Sequence, residues 1–347
     1  MTLTRQNGVR LTGILLAALA VAALIIGLFG GGRDTPPAEA TSETVATVQE
    51  QKNTVSTVVY YGDGNGHIVP VMRRIPEQDG IARATLSLMV KSEVNDREAA
   101  RMGLSTLLPE NCSIDLDISP EGLARVDLGK EANALPDAEA ESCMVAGVVA
   151  ALGEFNTVKQ VELLVGGQKL EKLRHGTDVS EPIEPGAINV ESLPSVSETF
   201  SAGQVTLYFP DASERLMVPV TRMVYGDSDI DTAVLELARG TGDASLSSAL
   251  PEGCGLIGVT VKDGVATVNF TREFISIAEK SDGGRAALKA LVLTCTQFKG
   301  IKNVQVQVEG ENYDPGAQTL AVPTFANVAE DIPTVGYEAA STVLNFE

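Results

Sequence analysis

The chain repeats itself, and the length of the repeat decides what it can fold into. Val58-Val59-Tyr60-Tyr61 is followed by Val69-Pro70-Val71-Met72-Arg73, and later Val205-Thr206-Leu207-Tyr208-Phe209 is followed by Val218-Pro219-Val220-Thr221-Arg222. Leu108-Pro109-Glu110-Asn111-Cys112 returns as Leu250-Pro251-Glu252-Gly253-Cys254. Gly122-Leu123-Ala124-Arg125-Val126-Asp127 returns as Gly264-Val265-Ala266-Thr267-Val268-Asn269. Phe155, Val158, Lys159, Val161 and Gly167 return as Phe298, Ile301, Lys302, Val304 and Gly310. The separation drifts from 149 residues (Val69 to Val218) to 142 (Gly122 to Gly264), because the first copy is longer around residues 91–101. Solenoid repeats recur every 20 to 50 residues or so. A period this long means duplication of a whole domain.

Each copy has the same pattern. Two β-rich runs come first, and the Val-Pro-Val phrase places proline in the second, which predicts an edge strand. In the second copy a helix is expected from Asp231, a capping residue, to Gly240, a stop. A hairpin follows, best seen where Asp263-Gly264 separates the run from Leu256 to Val261 from the run from Val265 to Phe270. Leu288, Leu291, Val292, Cys295 and Phe298 fall at helical spacing, matched by Val145, Val148, Val149, Leu152 and Phe155. A final strand closes each copy, from Gln160 to Val165 and from Asn303 to Val308. The expected fold is α+β: two tandem small domains, each with two helices packed on one face of a small mixed sheet.

The N-terminal part breaks this pattern. Arg5 and Arg10 precede an unbroken apolar run, residues 11–30, and no acid occurs before Asp34. About twenty apolar residues suffice to cross a bilayer. Positive charge ahead of the run places residues 1–10 in the cytoplasm and the bulk outside. A cleaved signal is the alternative, with Ala38 and Ala40 as a small-x-small site. Residues 31–54 read as a flexible linker, rich in Gly, Pro, Ala, Thr and Glu. The two domains are expected over residues 55–190 and 200–325, with a tail at 326–347 whose apolar residues pack back on the second domain.

The order Tyr208-Phe209, Val218-Pro219-Val220-Thr221-Arg222, Leu250-Pro251-Glu252-Gly253, the Asp-Gly hairpin and then Phe298 to Gly310 resembles the GerM-type domain. That family is named for a bacterial protein of sporulation and spore germination. The second copy fits the pattern well and the first is more diverged. The resemblance implies a non-enzymatic envelope protein with tandem domains, similar to the ring-building modules of the channel between mother cell and forespore. Its namesake is a lipoprotein, whereas here a transmembrane segment takes the place of the lipid.

Charge and residue chemistry narrow the function. The formal charge of −20 argues against nucleic acid, whose phosphates require clustered Lys and Arg. Neither His67 nor His175 has a Cys or His at metal spacing, and no nucleophile-elbow motif is present. Asp227, Asp229 and Asp231 begin like a calcium loop. Thr232 stands where the loop needs Gly and Ala238 where it needs Glu, so helix capping explains them better. Glu110 and Glu252 match between copies but sit beside proline at a turn. There is no Trp, which weakens a lectin reading. No catalytic residue, cofactor or metal is expected.

The four cysteines are disulfide candidates, since exported proteins retain disulfides. Cys112–Cys143 and Cys254–Cys295 is the simplest of three connectivities. Cys112 and Cys254 are equivalent, but Cys295 corresponds to Leu152 and not to Cys143, so reduced thiols stay open. The expected partners are other envelope or sporulation proteins, or further copies of this chain, with membrane contact through residues 11–30. The alternative reading is a cell-wall-associated ligand-binding module or hydrolase accessory.

Overall fold

The structure is a computed structural model that describes residues 53–191, 202–280, 282, 284–313 and 325–334. The expected transmembrane helix and nearly all of the expected linker lie outside the described residues. Among the described residues no helix is long and apolar enough to cross a membrane.

The first repeat opens with an antiparallel hairpin, β1 (Thr54–Gly62) and β2 (Ile68–Pro76). Helices α1 (Ile81–Ser87) and α2 (Glu93–Met102) follow. A second hairpin, β3 (Ile114–Ile118) and β4 (Leu123–Leu128), leads into α3 (Ala138–Gly153). The chain then returns as β5 (Gln160–Val165), parallel to β4, and turns into the short β6 (Gln168–Lys169). A two-residue strand, β7 (Val190–Glu191), lies between the repeats.

The second repeat runs β8 (Ala202–Pro210), β9 (Met217–Tyr225), α4 (Ile230–Ala238), β10 (Leu256–Lys262), β11 (Val265–Phe270), α5 (Arg285–Thr296), β12 (Asn303–Val308) and β13 (Glu311–Asn312). Its pairings mirror the first: β10 antiparallel to β11, β11 parallel to β12, and β8 antiparallel to β9.

The mixed α+β character and the duplication are as expected, but the sheet is not single. Each repeat has a four-stranded mixed sheet, ordered β3-β4-β5-β6 or β10-β11-β12-β13, and a separate hairpin. The long helix packs against both. α3 contacts β1 and β2 as well as β5, and α5 contacts β8 as well as β12. Cover on two sides explains why α3 buries Met144, Gly147, Ala150 and Ala151 beyond the predicted stripe of Val145, Val148, Val149 and Leu152. The first repeat also carries an extra helix. The residues that make it longer fold as α2, capped by the Ser92 side chain, which accepts from the Asn95 amide. In the second repeat the cap of α4 is Asp229, two residues before the expected Asp231, and it accepts from the Thr232 amide.

One glycine in each copy sets the crossover geometry. Gly122 and Gly264 end their hairpin turns at φ 98° and 80°. A Cβ there would lie 2.9 Å from the Thr157 carbonyl oxygen, or 3.0 Å from that of Gly300. The carbonyl of Gly122 accepts the amides of Lys159 and Gln160, and that of Gly264 accepts those of Lys302 and Asn303. This pins the start of the parallel strand to the hairpin, and any side chain would push the two apart.

The prolines are accommodated differently in the two hairpins. β2 is an edge strand of a two-stranded sheet, as expected. β9 is the middle strand of β7-β9-β8. It tolerates Pro219 because β7 pairs only with Thr221 and Arg222, so no ladder bond requires the missing N–H.

Candidate functional site

The two hairpins meet along β2 and β9, and short segments following each repeat cover the seam. After the first repeat, Val190 pairs in parallel with Thr221 of β9; after the second, Val328 pairs in parallel with Met72 of β2. Each segment is therefore held by the hairpin of the other repeat.

An asparagine organises each strap. Asn189 Oδ1 accepts from the Ile68 amide at 2.8 Å, and its Nδ2 donates to the carbonyls of Ile68 (2.8 Å) and Pro219 (2.7 Å). Asn327 Oδ1 accepts from the Met217 amide at 2.8 Å, and its Nδ2 donates to the carbonyls of Met217 (2.8 Å) and Pro70 (2.9 Å). Main-chain bonds complete the pattern, from the Met72 amide to the Asn327 carbonyl and from the Thr221 amide to the Ile188 carbonyl. An amide side chain suits this task because it both donates and accepts, matching the alternating groups of a strand edge.

Further groups fix the straps. Arg222 forms a bidentate pair with Glu191 of β7 and also donates to the Glu236 and Gly240 carbonyls. On the tail strap, Arg101 donates to the carbonyls of Ala329 (2.8 Å) and Ile332 (3.1 Å), and Arg215 to that of Pro333 (3.2 Å). Ala326, Ala329 and Ile332 are buried. Of the tail expected to pack on the second domain, residues 326–334 are described; they bond to Met217 and Arg215 of the second repeat and also to β2 of the first, whose open edge Asn327 and Val328 satisfy.

His67 is a third crossing point. It follows the β1–β2 turn, where Asp63 accepts the amides of Asn65 and His67. Its Nδ1 lies 2.9 Å from Asp63 and its Nε2 lies 3.2 Å from Asp243 of the second repeat. The hydrogen bond that His67 donates to Asp63 raises the imidazole pKa; burial opposes this, and the charges of Asp63 and Asp243 add to it. A cavity of about 540 Å³ opens beside it, lined among others by Asn189, Glu191, Asp243 and Leu246.

The other residues singled out from sequence lie elsewhere. His175 Nε2 is 2.8 Å from the Leu135 carbonyl, and the amides of His175 and Thr177 donate to the buried Glu141. Burial acts to raise the Glu141 pKa, and the two amides outweigh it, so the carboxyl titrates below its usual range. Asp231 accepts from the Val259 amide. Among the described residues no group of three or more His, Cys, Asp or Glu is arranged to hold a metal.

In this structure neither expected within-copy pair, Cys112–Cys143 or Cys254–Cys295, is bonded. All four cysteines carry free thiols. Cys143 Sγ turns to the Gly66 carbonyl and Cys112 Sγ to that of Ser113, while Cys295 is buried in α5. Burial pushes the Cys254 and Cys295 thiols up to about 12, and Cys143, with Glu139, Asp63 and Asp137 nearby, to about 11. A raised thiol pKa leaves little thiolate at neutral pH, which slows the attack of these thiols.

The domain pattern decides the family. The model of the Germane family, described as sporulation and spore germination, matches residues 58–171 and again 206–314. The chain belongs to the Germane family. The tandem GerMN domains of the sporulation protein GerM from Bacillus subtilis superpose with a TM-score of 0.65 at 26% identity, covering 80% of this chain and 99% of that one. The first GerMN domain of the same protein, taken alone, gives a TM-score of 0.35 at 26% identity over 38% of this chain and 98% of that one. A lipoprotein from Clostridium perfringens gives 0.24 at 18% over 38% and 88%. No curated protein sequence matches. The seam of this Germane chain rests on Asn189 and Asn327, which the sequence reading passed over. The signal was there: Ile188-Asn189-Val190 recurs as Ala326-Asn327-Val328, extending the repeat past its last strand.

Proposed function

We propose that this chain is a non-enzymatic interaction protein of the cell envelope, acting in sporulation or spore germination. In this reading residues 11–30 anchor it in the membrane, and the tandem domains act outside. The observation that carries it is the reciprocal strapping of the hairpins. Polar side chains along the seam bond to main chain of the other repeat, which sets two modules in one fixed orientation. A rigid pair of that kind presents separated surfaces to partner proteins or to further copies. Family membership supports the sporulation context, and the apolar run behind Arg5 and Arg10 supports the anchor.

The test is deletion and complementation. Loss of the gene is expected to lower the yield of heat-resistant spores, or their germination, in a spore-forming host. The full chain restores it, and a chain with Asn189 and Asn327 both replaced by Ala does not. Normal spore yield and germination without the protein would refute the reading.

The cavity beside His67 favours a second reading, a module that binds a cell-wall ligand between the repeats. Co-sedimentation with isolated cell wall, lost in an Asp243→Ala, Glu191→Ala double variant, would support it over the first.

A further inference from the structure

The two straps have the same core chemistry but are locked unequally. The strap between the repeats (residues 188–191, the linker strap) is tied by a side-chain ion pair, Arg222 to Glu191. The tail strap has Ala329 where the linker strap has Glu191. Its grip comes from Asn327, from the Met72 amide, and from Arg101 and Arg215 bonding to its main-chain carbonyls. Three small or branched apolar side chains, Ala326, Ala329 and Ile332, seat it. The strap bridges β2 at Val328 and then turns through a 3-10 helix, Ala329–Asp331, so that its buried side chains fall every third residue while main-chain bonds hold it to the strand edge. Nothing in that set of contacts depends on the segment belonging to the same chain.

We propose that the slot along β2, completed by the β9 edge at Met217, is a peptide-binding site that takes the tail strap of a second copy of this chain in exchange for its own. This deepens the assembly reading by naming the partner and the contact. The occupant follows from continuity with the seam: residues 325–334 already supply every group the slot reads, and each copy carries both strap and slot. Each molecule then donates one strap and accepts one. Such a contact closes as a reciprocal pair or continues as a head-to-tail series.

The test uses the full chain and a fluorescent peptide of residues 325–334. Asn327→Ala loosens the resident strap and leaves the slot intact; Ile332→Ser does the same by removing an apolar anchor, and serves if the first variant folds poorly. Either variant, still melting cooperatively, is expected to bind the peptide saturably and at least tenfold more tightly than the wild-type chain. A peptide carrying Asn327→Ala is expected not to bind. Failure of both variants to bind, or equal binding of the altered peptide, overturns the site. Mass measurement on the concentrated wild-type chain identifies the occupant: a dimer or larger species that Asn327→Ala abolishes supports the second copy. A strict monomer whose variants bind the peptide overturns the second copy as occupant. Either negative result leaves the sporulation phenotype to be judged separately.

Discussion

Asn189 and Asn327 make the same three side-chain hydrogen bonds to exchanged partners. Each takes one amide and one carbonyl from the hairpin at one side of the seam, Ile68 for Asn189 and Met217 for Asn327. Each then gives its remaining proton to a proline carbonyl across the seam, Pro219 or Pro70. The two residues relate the repeats as the halves of a symmetric dimer are related, although one chain forms both.

Asn327 is buried, so its removal strands three main-chain groups. Asn327→Ala is expected to cost about 2–4 kcal/mol of unfolding free energy, from roughly 1–3 kcal/mol per unsatisfied buried group less partial rehydration. Asn327→Asp is expected to cost more, because a carboxylate would face two carbonyls with no proton to give. Asn189→Ala is expected to cost less, since Asn189 is only half-buried and the Arg222–Glu191 pair still holds its strap. Urea unfolding of the three variants gives the order directly; equal losses would count against the seam as described.

His67 links the repeats most strongly when protonated. Its folded-state pKa lies above the ordinary value near 6.5, so its contribution is fully present below about 6.5. It is lost as pH rises through the raised folded value. His67→Gln is expected to remove this dependence, narrowing the gap in melting temperature to the wild type as pH rises from 6 to 9. A constant gap would mean that His67 acts only through packing.

Glu141 has the opposite sign. Its folded pKa is depressed, so its contribution is present above the unfolded value of about 4.3 and disappears as pH falls through the folded value. Glu141→Gln keeps one acceptor for the His175 and Thr177 amides but gives up the charge. It is expected to destabilise by about 1–2 kcal/mol at pH 7, with the difference shrinking below pH 4. Denaturant midpoints at pH 7 and pH 3.5 measure it.

Gly264→Ala and Gly122→Ala are each expected to destabilise by roughly 1–3 kcal/mol, from the positive φ together with the carbonyl contact. Gly64→Ala is the control: its φ is 79° but a Cβ there would meet nothing within 4 Å. Its cost is expected near 1 kcal/mol. Thermal melts that fail to separate Gly64 from the other two would refute the contact argument.

Thiol reactivity checks the cysteines. In the native chain at pH 8, Cys143 is expected to react first with a disulfide reagent, because it is only partly buried, whereas Cys254 and Cys295 react only on unfolding. Four thiols are expected in denaturant without reductant. Finding two or none would restore a disulfide.

The sequence by itself determined the duplication, the α+β class and the order of the elements shared by both copies. Those properties rest on local or periodic signals: alternation in β11, the Asp263-Gly264 turn, the apolar stripe of α5. It also marked Gly122 and Gly264 as matching positions, but the carbonyl that approaches each was set by the tertiary structure. Only the tertiary structure decided that the hairpin leaves the main sheet, because periodicity tells which face of a helix is buried but not how many layers cover it. The four cysteines likewise went to separate environments that spacing does not encode. The seam was decided at the same level. Asn189 and Asn327 act on strands 121 and 110 residues away along the chain, and an asparagine in a loop reads as a turn until the edge it satisfies is in place.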